Sequence, residues 1–127
     1  MKRKILIIED NEQNMYMLSF LLEQNNYTIY KAFNGLDGIR TALEILPNIV
    51  LLDIQLPEMD GYTVATKLRE NECLNKIPII AVTSYAMLGD KEKILSKGAN
   101  GYIEKPIDPE NFIDKMENIV NEFYNKS

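Results

Sequence analysis

Three apolar runs in this sequence each end in side chains that can do chemistry. An uninterrupted apolar run is typical of a strand buried on both faces of a parallel sheet. The carboxyl ends of such strands meet at one edge of the sheet, so we expect the polar residues to form one site. The runs are residues 5–8 followed by Glu9 and Asp10, residues 49–52 followed by Asp53, and residues 79–82 followed by Thr83.

These residue types together predict a site for phosphoryl transfer. Glu9, Asp10 and Asp53 bring three carboxylates together, and such a group takes up either protons or a cation. Oxygen ligands of this kind suit Mg²⁺, which keeps several waters and also binds phosphate oxygens. Lys105 follows the last predicted strand and either forms a plain ion pair with the acids or holds phosphoryl oxygens. With the Thr83 hydroxyl nearby, the set favours phosphoryl transfer to the Asp53 carboxylate.

A rhythm of strand and helix along the chain positions these residues. The predicted strands cover about residues 4–8, 27–31, 49–53, 79–83 and 101–104. The predicted helices cover about residues 11–24, 35–46, 60–70 with Asp60 as N-cap, and 86–96, and a fifth begins with Asp108 as N-cap and Pro109 as its first residue. This alternation predicts an α/β fold, a doubly wound (βα)5 open parallel sheet in the order 2-1-3-4-5, with helices on both faces as a three-layer sandwich.

The composition fits one globular domain and excludes several functions. The chain has 127 residues, 46% apolar and 26% charged, with a net charge of -5, so we expect no DNA binding and no membrane binding. It has no histidine, so no histidine-based triad, histidine-ligated zinc site or phosphohistidine arises within it. Cys73 is the only cysteine and no apolar stretch is long enough to span a membrane. These features favour a cytoplasmic protein.

Four segments carry a resemblance to a known family. Together they resemble the receiver domain of two-component response regulators over essentially the whole chain, which implies the flavodoxin-like or CheY-like version of the predicted fold. Single-domain receivers, such as the cell-cycle regulator type called DivK, and receivers of hybrid histidine kinases look most similar. The segments are residues 5–11 (ILIIEDN), 50–61 (VLLDIQLPEMDG), 81–90 (AVTSYAMLGD) and 98–106 (GANGYIEKP).

The resemblance implies a phosphorylation site that binds a metal. Asp53 matches the phosphoacceptor of the family, which also contacts the metal. Asp10 matches the direct ligand of Mg²⁺ or Mn²⁺, and Glu9 matches the second acid. Gln55 falls where the family uses a backbone carbonyl as a further ligand.

The resemblance also implies a switch that responds to the phosphoryl group. Thr83 matches the hydroxyl that reorients toward it, and Lys105 matches the invariant lysine of the family. Pro106 matches the usual cis-proline that follows this lysine. Tyr102 falls at the position of the aromatic side chain that turns inward when Thr83 moves.

The sequence departs from the family pattern at two positions. Glu9 replaces the more usual Asp, which is expected to shift the metal geometry slightly. Ser84 replaces the usual Ala or Gly and adds a hydroxyl beside the phosphoryl pocket. Gln55 and Tyr85 occupy positions that tune dephosphorylation in the family, but these residues alone do not predict the lifetime of the phosphoryl group.

The function implied by the resemblance is a phosphorylation switch. A histidine kinase or a histidine phosphotransfer protein supplies the phosphohistidine, and the output is binding to a downstream protein target or onward phosphorelay. The chain promotes its own phosphorylation and dephosphorylation without being a turnover enzyme on an external substrate. We expect a single receiver domain over residues 1–127 with no output domain, either independent or excised from a longer hybrid kinase.

Two alternative functions share the predicted architecture. One is a protein-binding module with a receiver fold and no phosphorylation, and the complete set of acids with Thr83 and Lys105 argues against it. The other is a flavin or nucleotide protein, which needs a phosphate loop rich in Gly, Ser or Thr after the first strand. Here that loop, residues 9–12, is acidic and contains no glycine.

Overall fold

Apolar segments form parallel strands at the centre of the structure, and amphipathic segments form the helices that cover them. The structure is a computed structural model that describes residues 2–84 and 88–126. The strands are β1 (Lys4–Ile8), β2 (Thr28–Ala32), β3 (Ile49–Asp53), β4 (Ile79–Thr83) and β5 (Gly101–Glu104). The α-helices are α1 (Glu12–Gln24), α2 (Gly35–Ile45), α3 (Gly61–Arg69), α4 (Leu88–Ser96) and α5 (Phe112–Asn125), and a short 3-10 helix spans Glu72–Leu74.

The strands pair in parallel in the order β2-β1-β3-β4-β5, which confirms the predicted doubly wound sheet. The strand order reverses between β1 and β3, the place where a crevice opens in folds of this kind. The register aligns the carboxyl ends of the four strands that carry the predicted site. The paired residues at these ends are Ile8 with Leu52, Asp53 with Val82, and Thr83 with Glu104.

Alternate residues of the strands point to opposite faces of the sheet and build two apolar cores. Every residue of β3 and of β4 is buried, as their apolar runs predicted. One core joins the sheet to α1 and α5 through Ile5, Ile7, Ile49, Leu51, Met15, Leu18, Leu22, Phe112, Met116 and Val120. The other joins it to α2, α3 and α4 through Leu6, Ile8, Val50, Leu52, Ala42, Val64, Leu68 and Ile94.

Short polar side chains cap the helices that follow β1, β2 and β3. In each case a side-chain oxygen accepts a hydrogen bond from a backbone N–H in the first turn of the helix. The pairs are Asn11 with Asn14 at 2.9 Å, Asn34 with Asp37 at 2.8 Å, and Asp60 with Thr63 at 2.9 Å. The predicted N-cap role of Asp60 is therefore confirmed. No helix in the described part of the chain is long and apolar enough to cross a bilayer.

The predicted start of the fifth helix was wrong. Asp108 caps a separate turn: its side chain accepts the Glu110 N–H at 3.0 Å, and its backbone carbonyl accepts the N–H groups of Asn111 and Phe112. The helix itself begins at Phe112, four residues after Asp108. β2 lies one residue further along than predicted. Ala86, the predicted first residue of the fourth helix, lies outside the described residues.

A half-buried arginine holds together the amino ends of β4 and β5. The Arg69 guanidinium donates hydrogen bonds to backbone carbonyls on three sides, and burial lowers its pKa. Its contacts are Gly98 O, Leu74 O and Ile77 O at 2.9 Å each, and Asn100 Oδ1 at 2.6 Å. Asn100 Oδ1 also accepts the N–H of Ile79, the first residue of β4, at 2.8 Å. The two strands that deliver Thr83 and Lys105 therefore start from one hydrogen-bonded junction.

Gly61 lets α3 begin directly beneath the end of β3. Its N–H donates to the carbonyl of Ile54 at 2.9 Å. A Cβ atom on Gly61 would lie 2.4 Å from the Ile54 Cα and 2.6 Å from the Asp53 carbonyl oxygen. Both are backbone atoms, which cannot rotate away as a side chain can. The loop that follows Asp53 is therefore packed against a residue without a side chain.

We expect Gly61→Ala to destabilise the protein by about 1–3 kcal/mol, the usual cost of overpacking a filled site. The matched control is Gly89→Ala in α4, where an added Cβ meets no atom of the described residues within 4 Å. That change should stabilise the helix by up to about 1 kcal/mol, because Ala has the higher helix propensity. Urea unfolding of both variants measures the difference. Equal effects of the two changes would show that the close approach at Gly61 is not a constraint.

Candidate functional site

The carboxyl ends of β1, β3 and β4 place three buried polar side chains at one edge of the sheet. Glu9, Asp53 and Thr83 are exposed by only 1%, 3% and 0%. Asp10, next to Glu9, is exposed to solvent. This arrangement follows from the sequence, because each residue ends or directly follows an apolar strand.

The predicted carboxylates come together. Glu9, Asp10 and Asp53 each offer one oxygen, and these oxygens all lie within 4.8 Å of one another. Like charges at this distance repel each other, and burial of two of the three groups strengthens the repulsion. The cluster therefore needs positive charge or protons.

Lys105 supplies part of that positive charge. Its Nζ lies 3.3 Å from Asp53 Oδ1 and 3.4 Å from Glu9 Oε1, and its side chain is 17% exposed. The Lys105 backbone N–H donates to the Thr83 carbonyl at 2.9 Å, which ties the end of β5 to the end of β4. The peptide bond between Lys105 and Pro106 is cis, as the resemblance to the receiver family implied.

Glu9 has an unusual protonation equilibrium. Burial, followed by hydrogen bonding and charge repulsion from the adjacent Asp53, raises its pKa from 4.5 to about 7. The Asn11 N–H, which donates to Glu9 Oε2 at 3.1 Å, and the Lys105 charge act in the opposite direction. Burial and the acidic neighbour outweigh them. In the metal-free protein, Glu9 therefore exchanges its proton near neutral pH.

The donor set fits a hard divalent cation. It consists of carboxylate oxygens only, which suit Mg²⁺ or Mn²⁺ better than softer metals. Glu9 Oε1 is buried and has no hydrogen-bond partner in the described residues, although the Lys105 ammonium lies near it. A cation beside this oxygen would satisfy it and would favour the ionised form of Glu9.

Gln55 makes two contacts at the site, and the sequence predicted neither of them. Its backbone N–H donates to Asp53 Oδ1 at 3.0 Å, and its side-chain Oε1 accepts the Ser84 N–H at 3.0 Å. The role predicted for its backbone carbonyl as a metal ligand stays a prediction. The one feature of the sequence that could have indicated the two contacts is an amide side chain two residues after the end of a strand. Tyr85 lies outside the described residues.

Tyr102 lies on β5 outside the carboxylate cluster. It is half-buried and packs against the core formed by α2, α3 and α4. The Lys91 Nζ lies 5.2 Å from the centre of its ring and 3.7 Å from Glu104 Oε1. A lysine of α4 thus contacts two residues of β5, and the switch role of Tyr102 stays a prediction.

Comparisons with known proteins agree with this geometry. Residues 5–117 match the family described as response regulator receiver domain. Polar-differentiation response regulator DivK from Brucella anthropi is 40% identical over 120 residues, 94% of this chain and 98% of that protein. A CheY-like receiver domain protein from Methanospirillum hungatei JF-1 has a TM-score of 0.89, 27% identity and full coverage of both chains.

A further solved structure bears on the metal. It is the receiver domain of a sensor histidine kinase from Pseudomonas aeruginosa PAO1, with a magnesium ion coordinated in its active site cleft. Its TM-score to this chain is 0.86 at 29% identity, covering 95% of this chain and 99% of that one.

The raised pKa of Glu9 predicts a pH-dependent stability of the metal-free protein. Between pH 4.5 and about 7 the folded protein holds a proton on Glu9 that the unfolded chain has released. The folded state therefore loses stability as the pH rises through this window. Glu9→Gln removes the titration, so the stability of the wild type relative to this variant should fall from pH 4.5 to 7 and then level off. Urea unfolding with a chelator at fixed pH values measures it, and a pH-independent difference would contradict the assignment.

Proposed function

Because the chain belongs to the response regulator receiver family, we propose that it is a phosphorylation switch in which Asp53 accepts a phosphoryl group. The donor is a phosphohistidine on a histidine kinase or a histidine phosphotransfer protein, since this chain has no histidine of its own. The proposed location is the cytoplasm, where such donors present their phosphohistidine. The proposed receiver domain spans residues 1–127.

One observation carries this proposal. Asp53 is the buried acid at which all the other predicted groups converge: Lys105 lies at 3.3 Å, and oxygens of Glu9 and Asp10 lie within 4.8 Å. A carboxylate whose only role was to stabilise the fold would cost less free energy if it were exposed to solvent or paired with a single cation. A nucleophile for phosphoryl transfer needs this surplus of acids, because they bind the cation that the reaction uses.

In the proposed reaction, an oxygen of the ionised Asp53 carboxylate attacks the phosphorus atom of the phosphohistidine. A new oxygen–phosphorus bond forms, the nitrogen–phosphorus bond breaks, and the imidazole nitrogen leaves with the bonding electron pair. The Gln55 N–H at Asp53 Oδ1 orients the carboxylate. The Lys105 ammonium, already beside the carboxylate, stabilises negative charge on the transferred group.

Glu9, Asp10, Asp53 and the backbone carbonyl of Gln55 are the proposed ligands of Mg²⁺ or Mn²⁺. When bound, the cation neutralises charge on the phosphoryl oxygens. The protein's own contribution is to hold these carboxylates together without the cation, which the apolar strands beneath them do.

The proposed output is a change of surface. A phosphoryl group adds roughly 1.5 to 2 negative charges and strong hydrogen-bond acceptors. Thr83, the last residue of β4, and Lys105 are the groups that we propose engage it, and Thr83 is followed directly by the loop that leads to α4. We propose that this loop and Tyr102 shift between two arrangements, so that α4, β5 and α5 present a different face to a downstream protein target. Onward phosphorelay is the other output.

We expect Asp53→Asn to abolish phosphorylation, because the amide is not a nucleophile in this reaction. The assay is intact-mass analysis after incubation with Mg²⁺ and a small phosphodonor. The matched control is Asp114→Asn, at an exposed position of α5, which should be phosphorylated like the wild type. Phosphate on Asp53→Asn would remove Asp53 as the acceptor. An unmodified wild type, beside a receiver that is modified, would favour the binding module without phosphorylation.

We expect Asp10→Ala to weaken Mg²⁺ binding, because it removes both a ligand and a negative charge. The affinity for Mg²⁺ should fall at least about tenfold. A metal ligand that loses only the residue that orients it already lowers metal affinity by about tenfold or more, and this substitution removes the ligand itself. A calorimetric titration of the protein with Mg²⁺ measures the affinity. Glu70→Ala, which removes the same charge from an exposed residue at the far end of α3, is the control. Equal affinities of the two variants would contradict the proposed ligand set.

A further inference from the structure

Gln55 connects the two loops that flank the proposed phosphorylation site. Its backbone belongs to the loop after β3, and its N–H donates to Asp53 Oδ1 at 3.0 Å. Its side chain extends to the loop after β4, where Oε1 accepts the Ser84 N–H at 3.0 Å. Ser84 directly follows Thr83, the last residue of β4. One residue therefore holds both the acceptor carboxylate and the segment that is expected to respond to its modification.

These contacts close a ring around Asp53. From Ser84 the chain passes to Thr83, whose carbonyl accepts the Lys105 N–H at 2.9 Å. The Lys105 Nζ returns to Asp53 Oδ1 at 3.3 Å. Asp53 Oδ1 thus contacts Gln55 on one side and Lys105 on the other. A change in the charge or shape of the Asp53 carboxylate acts on both sides of the ring.

The contact between Gln55 and Ser84 is the link of the ring that opens most easily. Asp53 and Thr83 are almost fully buried, whereas Gln55 is half-buried and Ser84 is exposed. A single neutral hydrogen bond in contact with water contributes little net stability, since water can replace either partner. The ion pair and the strand pairing elsewhere in the ring lie in buried surroundings. Opening is therefore expected at the Gln55 side chain.

We propose that Gln55 is a positioning residue that holds the Thr83–Ser84 segment in its unphosphorylated arrangement. This inference rests on the proposed phosphorylation of Asp53. Once an Asp53 oxygen is bonded to phosphorus, the phosphoryl oxygens compete as acceptors for the Gln55 N–H. Gln55 then moves relative to Asp53, its side chain withdraws from Ser84, and Thr83 and Ser84 shift together. The side-chain carbonyl of Gln55 therefore sets how far the unphosphorylated protein already populates the shifted arrangement.

Two substitutions at Gln55 separate the acceptor from the size of the side chain. Gln55→Met keeps the length of the side chain and removes the carbonyl acceptor. Gln55→Glu keeps an acceptor oxygen at the same place. Because Gln55 is half-buried at the mouth of the site, both variants should fold, and their thermal unfolding checks this.

The first measurement uses the unphosphorylated 127-residue chain without metal. The exchange rate of the Ser84 amide hydrogen with water, measured by NMR, should rise about threefold to tenfold in Gln55→Met, the effect of losing one hydrogen bond of ordinary strength. In Gln55→Glu it should stay close to the wild-type rate. Equal rates in all three proteins would overturn the proposal. This comparison needs no phosphorylation, so its failure is distinguishable from failure of the proposed function.

The second measurement tests whether the contact positions the switch or is only local. The ring resonances of Tyr102 in unphosphorylated Gln55→Met should lie part of the way toward those of the phosphorylated wild type, while those of Gln55→Glu should not. Faster Ser84 exchange with unchanged Tyr102 resonances would overturn the positioning role. If the wild type takes no phosphate in the mass assay, the proposed function fails, and unequal Ser84 exchange still shows that Gln55 holds the loop.

Discussion

The central constraint on this structure is the electrostatic repulsion among three carboxylates at the carboxyl edge of its sheet. Three carboxylates lie within 4.8 Å of one another, two of them almost fully buried, and Lys105 forms ion pairs with these two. Such a cluster would disperse in solvent, because the acids would simply move apart. Here the apolar residues of β1 and β3 anchor Glu9 and Asp53 by their backbones. The energy of the two cores thus maintains an excess of negative charge at this edge of the sheet.

The sequence predicts most of this because its strongest signals are local. The apolar runs locate β1, β3 and β4 correctly, and the predicted bounds of β5 are also correct. The prediction for β2, whose residues are partly exposed, is displaced by one residue. The site follows from the topology, since parallel strands in the order 2-1-3-4-5 bring their ends together. The start of α5 was wrong because Asp108 and Pro109 favour any turn that opens with a capped N–H, whether or not a helix continues from it.

Contacts that depend on side-chain conformation could not be predicted from the sequence. The Arg69 guanidinium meets carbonyls and Asn100, 31 residues away, and Gln55 meets the Ser84 N–H, 29 residues away. Nothing in the residue types of either pair requires the contact, because Arg and Gln are equally common on solvated surfaces. The raised pKa of Glu9 also needed the structure, since its sign depends on whether burial or the Lys105 charge dominates.

The distribution of strong and weak contacts indicates where the molecule can change its arrangement. At the amino edge of the sheet, Arg69 makes four hydrogen bonds that join α3 to the entries of β4 and β5. At the carboxyl edge, some of the contacts made by β5 and by the segment after β4 lie near solvent, such as that of Gln55 with Ser84 and that of Lys91 with Tyr102. Conformational changes usually involve the regions of a protein that have the lowest local stability. The proposed modification of Asp53 would therefore act on the segment after β4, next to the contact of Gln55 with Ser84, while the junction at Arg69 keeps the same strand in register.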